Sequence, residues 1–180
     1  MDAMAELCSE QGYEATKIAD IVRRAGVARK TLYDNFDGKE EVFLAAFDSA
    51  VEEVTGQIEA ACAEADGGWE TKVEAGLRVF LAYVAEHPAI GRLCLVEAYS
   101  ATPAASQRYD DALERCVELL RSSSPVAGDR PETTEETLTG GVAWILHQRI
   151  RRGDAEQALD LLPELMDFVL SPYHGVGDRS

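Results

Sequence analysis

Residues 16–36 read T-K-I-A-D-I-V-R-R-A-G-V-A-R-K-T-L-Y-D-N-F, and the fold of the whole chain can be approached from this stretch. Ile18, Ile21 and Val22 recur at helical spacing and give a short helix one apolar face. Ala25-Gly26-Val27 follows as a three-residue turn, in which glycine permits left-handed backbone. Val27 is expected to plug back into the core. Leu32 and Phe36 then line the inner face of a second helix, and Ala19 and Ala25 are small enough for a close crossing. This is the helix-turn-helix pattern. Arg29, Lys30, Thr31 and Tyr33 fall on the outer side, at the start of the second helix. In such a motif that part enters a DNA major groove, with its N-terminal amides toward phosphate.

Charge singles out the same segment. From Ala15 to Glu40 there are six basic residues (Lys17, Arg23, Arg24, Arg29, Lys30, Lys39) and four acidic ones (Asp20, Asp34, Asp37, Glu40), a local charge of +2. The whole chain is at −16, with 17 basic and 33 acidic residues, so the remainder carries −18. An acidic surface repels nucleic acid on average, so concentrated basic groups have a place and a purpose there.

The 180 residues fit one large domain or two small ones, and 46% hydrophobic content excludes a wholly disordered chain. No stretch approaches the ~18 uninterrupted apolar residues of a membrane span. The start, Met1-Asp2-Ala3-Met4-Ala5-Glu6, has no basic n-region, so a cytoplasmic protein is expected. Cys8, Cys62, Cys94 and Cys116 are scattered and ungrouped with His87, His147 and His174, so neither a metal nor a cofactor is expected. No nucleophile elbow, zinc-protease helix or phosphate loop occurs, and the chain reads as no enzyme.

Helical periodicity continues throughout, which makes the fold class all-α with about nine helices. Ala3 to Glu10 is a first helix stopped by Gly12. Glu40 to about Cys62 carries Phe43, Phe47, Ala50, Val54 and Ile58 on one face, and Asp37 with Glu40 has the spacing of a capping box. Glu70 to Glu86 ends before Pro88. Ala89 to Tyr99, Gln107 to Leu120, Glu135 to Ile150 and Ala155 to Leu170 follow. Asp154 is expected to cap the last of these, and Pro163 to kink it. Ser122 to Thr134 reads as a loop and Ser171 to Ser180 as a tail.

With these residues in place the chain resembles the TetR-type transcriptional regulators. The resemblance rests on Gly12-Tyr13-Glu14-Ala15-Thr16, Ile18-Ala19-Asp20-Ile21, Ala25-Gly26-Val27, Thr31-Leu32-Tyr33 with Phe36, and Lys39-Glu40. It covers about residues 1 to 50. A looser likeness runs through Leu161-Leu162-Pro163-Glu164-Leu165 and Leu170-Ser171-Pro172-Tyr173. The resemblance implies a helix-turn-helix domain over residues 1–40 and a helical ligand-binding and dimerisation domain over 41–180. It implies that Thr16 caps the second helix and touches a phosphate, and that Lys17 and Lys39 hold the backbone. Arg29 and Lys30 would face base edges or flanking phosphates, Thr31 the groove floor, and Tyr33 a phosphate or thymine methyl.

Two positions depart from the family. Ala28 stands where a serine cap is usual, a loss of typically ~1 kcal/mol. The basic arm and first turn that usually precede Ala3 are missing, so either the start codon lies upstream or part of a DNA-facing arm is gone.

The second half would dimerise and enclose a small-molecule pocket. Leu138, Val142, Ile145, Leu159, Leu162 and Met166 are the expected dimer interface. Phe80, Tyr83, His87, Cys94, Glu97, Tyr99, Leu113, Cys116 and Trp144 are the candidate ligand-binding residues, with Tyr83, His87, Glu97 and Tyr99 as polar anchors. The implied function is a repressor that binds a palindromic operator as a homodimer and is released by a small, mostly hydrophobic or amphipathic effector. The competing reading is a helical small-molecule-binding or interaction protein whose DNA-binding head has weakened or been lost.

Overall fold

A computed structural model describes residues 2–124 and 131–174. All regular structure among them is helical. We number the helices α1 (Asp2–Ala15), α2 (Ile18–Ala25), α3 (Arg29–Tyr33), α4 (Lys39–Glu64) and α5 (Trp69–Glu86). Then come α6 (Pro88–Ala101), α7 (Pro103–Ser123), α8 (Thr134–Arg152) and α9 (Leu162–His174). A 3₁₀ segment, Ala155–Leu161, leads into α9, and α6 contains a π turn at Leu93–Glu97. Among the described residues no single helix is long and apolar enough to cross a membrane.

The first core cluster packs Met4, Leu7 and Cys8 of α1 against Ile21, Leu32, Phe43 and Phe47. It does not stop at the first three helices. Leu93 and Ala98 of α6 and Ala105 of α7 belong to the same cluster, so the N-terminal head is welded to the second half by apolar contact. The second cluster joins Leu81 and Val84 of α5 to Leu146 and Ile150 of α8 and to Ala158, Leu161, Leu162 and Leu165. Full burial of each leucine contributes about 1.5–3 kcal/mol, which outweighs the small helix propensities of any one segment.

Several element ends differ from the sequence expectation. α1 runs past its break: Gly12 has φ 80 and ψ 164, outside the helical region, and helical backbone resumes up to Ala15. α3 ends at Tyr33, before the Phe36 expected on its inner face: the Asp34 N–H still bonds to the Lys30 carbonyl at 2.8 Å, but the Asn35 N–H bonds three residues back to the Leu32 carbonyl at 3.1 Å. No Asp37–Glu40 capping box forms. Gly38 occupies the N-cap of α4, and the Glu41 carboxylate accepts the Asp37 N–H at 2.5 Å. Val27 does not plug into the core and is 41% exposed.

α7 starts at Pro103 because the Thr102 hydroxyl accepts the Ala105 N–H at 3.2 Å, and proline suits the first turn. It continues to Ser123, past the expected loop start at Ser122. Residues 125–130 of that loop lie outside the described residues, as does the tail beyond His174; α9 itself takes in Ser171 to His174. The expected last helix is two pieces. Asp154 makes no side-chain cap, the 3₁₀ segment follows it, and Pro163 sits in the first turn of α9 rather than at a kink.

Candidate nucleic-acid interface

Leu32 anchors α3. It is 5% exposed among Leu7, Ile21 and Phe43, and this fixes which residues of α3 point out. Ala28 makes no side-chain cap bond, as its methyl dictates, so this five-residue helix depends on that packing. Gly26 turns the chain between α2 and α3 at φ 67, and its N–H bonds back to the Val22 carbonyl. Arg29, Lys30, Thr31 and Tyr33 are all exposed. The Arg29 guanidinium lies 5.6 Å from the Tyr33 ring centroid, a cation–π contact that holds both side chains on one face. Asn35 donates to the Thr31 carbonyl at 2.7 Å and closes the end of the helix.

The six basic residues of the segment divide into two sets. Arg23 pairs with Asp20 at 2.7 Å. Arg24 bridges α2 to α1 through Glu6 at 2.8 Å and Glu10 at 2.7 Å, and this holds the Glu10 carboxyl below its usual value. Lys39 donates to the Tyr13 carbonyl at 2.9 Å and lies 4.0 Å over the Tyr13 ring. Lys17, Arg29 and Lys30 form no ion pair among the described residues. Two of these three uncommitted cations, Arg29 and Lys30, are on α3, and Lys17 stands at the start of α2.

Two residues assigned to phosphate contact have other work. Thr16 is 1% exposed, and its hydroxyl donates to the Gly12 carbonyl at 2.8 Å. It makes no cap on α2; it fastens the break in α1 instead. Lys39 is half-buried against the end of α1, and its ammonium serves the carbonyls there. Both contacts join positions distant enough in the chain, or in a turn irregular enough, that spacing alone does not reveal them.

The effector set is dispersed. Tyr83 is buried, with its hydroxyl donating to Glu53 at 3.1 Å, and the exposed His87 ring lies 4.7 Å from it. Tyr83 borders a small, partly open cleft between α1, α4, α5 and α6; Asp2, Ser49, Glu53, Ile90 and Leu93 line it too. Phe80 packs half-buried on the second core. Cys94 packs on the first, where burial raises its thiol to about 12. Glu97 points at the head: its carboxylate accepts the Tyr13 N–H at 2.9 Å. Tyr99 is 65% exposed and edge-on to Tyr109. Leu113 is half-buried and Cys116 exposed on α7.

The interface set is likewise rearranged. Leu138 and Leu162 are buried inside the chain, and Val142, Ile145 and Met166 are half-buried against the second core. Leu159 alone of the six is exposed. Trp144, assigned to the pocket, is 62% exposed on the outer face of α8, stacked on His147. Phe168 of α9 is also exposed. Sequence periodicity found the apolar residues of these helices but not which side the chain's own core claims.

Residues 1–46 match the family described as bacterial regulatory proteins, tetR family. The HTH-type transcriptional activator FasR of Mycolicibacterium smegmatis is 26% identical over 119 residues, 66% of this chain and 53% of that protein. Across the curated relatives the matched stretch spans 24% to 53% of their length. Bacillus subtilis FadR, solved in complex with stearoyl-CoA, shares the fold at TM-score 0.81 and 17% identity, over 96% of this chain and 97% of that one. The TetR-family regulator PfmR of Thermus thermophilus superposes at TM-score 0.68 and 20% identity, over 94% and 96%. The head, residues 1–46, is thus similar to that of the tetR family of bacterial regulatory proteins, and it sits in a chain whose all-helical fold is shared with FadR and PfmR.

Proposed function

We propose that this protein is a ligand-responsive transcriptional repressor that binds a pseudo-palindromic operator as a homodimer. The observation that carries the reading is the outward set Arg29, Lys30, Thr31 and Tyr33, whose two cations have no carboxylate partner among the described residues in a chain of net charge −16. Arginine to guanine O6 and N7 is the commonest specific base contact, worth about 1–3 kcal/mol. Two copies of α3 related by a two-fold axis read half-sites about 34–36 Å apart. The exposed Trp144, Leu159 and Phe168 on the last helices favour pairing with a second copy, since large apolar side chains left uncovered mark an interface.

The effector we assign is small and hydrophobic or amphipathic, entering between α4 and α5 beside Tyr83. FadR, which resembles this chain in fold, was solved with stearoyl-CoA, so long-chain acyl thioesters are the first compounds to test. Effector binding must differ in strength between two head positions to release DNA.

Selection from random duplex DNA at two salt concentrations tests the reading. A palindrome is expected to be enriched, with affinity falling steeply as salt rises. Replacing Arg29 and Lys30 by alanine should abolish enrichment while leaving the helical spectrum unchanged. No enriched palindrome, or one unaffected by these substitutions, would overturn the assignment.

A further inference from the structure

Tyr13 is held from three directions. Lys39 of α4 takes its carbonyl, Phe43 of α4 meets its ring edge-on at 5.1 Å, and Glu97 of α6 takes its N–H. The first two contacts lie within the head and its connecting helix. The third comes from the second half of the chain, 84 residues away. It exists because α1 is broken. Gly12, at φ 80 and ψ 164, removes the regular acceptor from the Tyr13 N–H, and a buried N–H without an acceptor costs about 1–3 kcal/mol. Only glycine adopts that backbone readily, and a Cβ there would lie 3.6 Å from the Glu97 carboxylate.

The carboxylate is delivered by the π turn Leu93–Glu97. An inserted residue of this kind rotates the following side chains and recurs at functional sites. The turn is itself pinned from the other side: His147 of α8 donates from Nδ1 to the Leu95 carbonyl at 2.9 Å. The Glu97 side chain is only 14% exposed, and its other oxygen lies 3.5 Å from Nε of Arg92, a buried nitrogen with no hydrogen-bond partner. A buried carboxylate placed on a backbone N–H at a helix break is a rigid, directional tie.

We infer that Glu97 is a positioning residue for DNA binding: through the Tyr13 N–H it fixes the head, and so α3, relative to the second half of the molecule. The inference rests on the regulator reading above. It makes the π turn the mechanical link between the effector half and the head, running beside α4 rather than along it. A change that rotates α6 by one register withdraws the carboxylate and frees the broken end of α1.

Three substitutions separate reach from charge. Glu97→Gln keeps an acceptor oxygen at the same distance but loses the ion pair. Glu97→Asp keeps charge but is one methylene too short. Glu97→Ala has neither. Each is measured against the duplex enriched by the unaltered chain, and by amide hydrogen exchange of Tyr13, of residues 16–36, and of α8 as an internal reference. We expect Glu97→Asp and Glu97→Ala to bind that duplex about tenfold or more weakly, with faster exchange at Tyr13 and across 16–36 but not in α8. Glu97→Gln should stay within about threefold of the unaltered chain. Unchanged affinity and head exchange in Glu97→Asp would overturn the inference, as would faster exchange that extends equally into α8. If the unaltered chain enriches no duplex, the regulator reading fails, and the exchange pattern alone still decides whether Glu97 holds the head.

Discussion

Among single residues, neighbours on one short helix have opposite assignments. Leu32 is 5% exposed and Tyr33 46% exposed, one step apart on α3. Leu32→Ala should therefore cost about 2–5 kcal/mol through a cavity at the junction of α1, α2 and α4. Denaturant unfolding should register the loss, and DNA binding should fail with it. Lys30→Ala removes an exposed cation and should leave the unfolding midpoint within experimental error. Helical spacing alone distinguishes these two residues, and the structure agrees. Thr16 was not separable in this way. Its hydroxyl serves the Gly12 carbonyl only because the chain breaks there, and nothing in a threonine before a helix tells which direction it bonds. Glu97 is a further case. As a candidate effector anchor it was a polar group on an apolar helix; the fold aims it at the head instead.

Among the elements, the turn between α2 and α3 depends on Gly26. Its φ of 67 belongs to the left-handed region, while a Cβ built there meets nothing within 4 Å. The cost of Gly26→Ala is then torsional alone, about 1–2 kcal/mol. Urea unfolding should show a lower midpoint with an unchanged slope, because no packing is lost. A loss well beyond that range would mean that the turn itself rearranges. Helix existence was legible along the whole chain from the recurrence of apolar side chains every three or four residues. Helix ends were less so. The 3₁₀ segment at Ala155–Leu161 and the π turn at Leu93–Glu97 satisfy backbone groups through tertiary contacts, and a hydrophobic period carries no sign of either.

For the molecule as a unit, the last helices present a face that one chain does not cover. Trp144 is 62% exposed, and Gly140, one turn earlier, has open space around its α-carbon, so another helix has room to approach closely. If this face joins two copies, Trp144→Ala should raise the dimer dissociation constant about thirtyfold or more in sedimentation equilibrium. The unfolding of an isolated chain should barely change, because so little of Trp144 is buried within it. Leu138→Ala makes the contrast: at 2% exposure it belongs to the chain's own core, and its loss should appear as lower stability.

Residue order was enough to establish the all-helical class, the helix-turn-helix, its exposed basic residues and their concentration in an acidic chain. These follow from local periodicity, from glycine at a left-handed turn and from charge, all of which act over a few residues. The packed fold was needed to show that Thr16 and Lys39 close the end of α1, that Trp144 faces outward while Leu138 and Leu162 face in, and that Glu97 reaches the head. Each of those outcomes is a choice between two faces or two partners far apart in the chain. Close packing of one helix against another makes that choice, and the period of a single helix does not contain it.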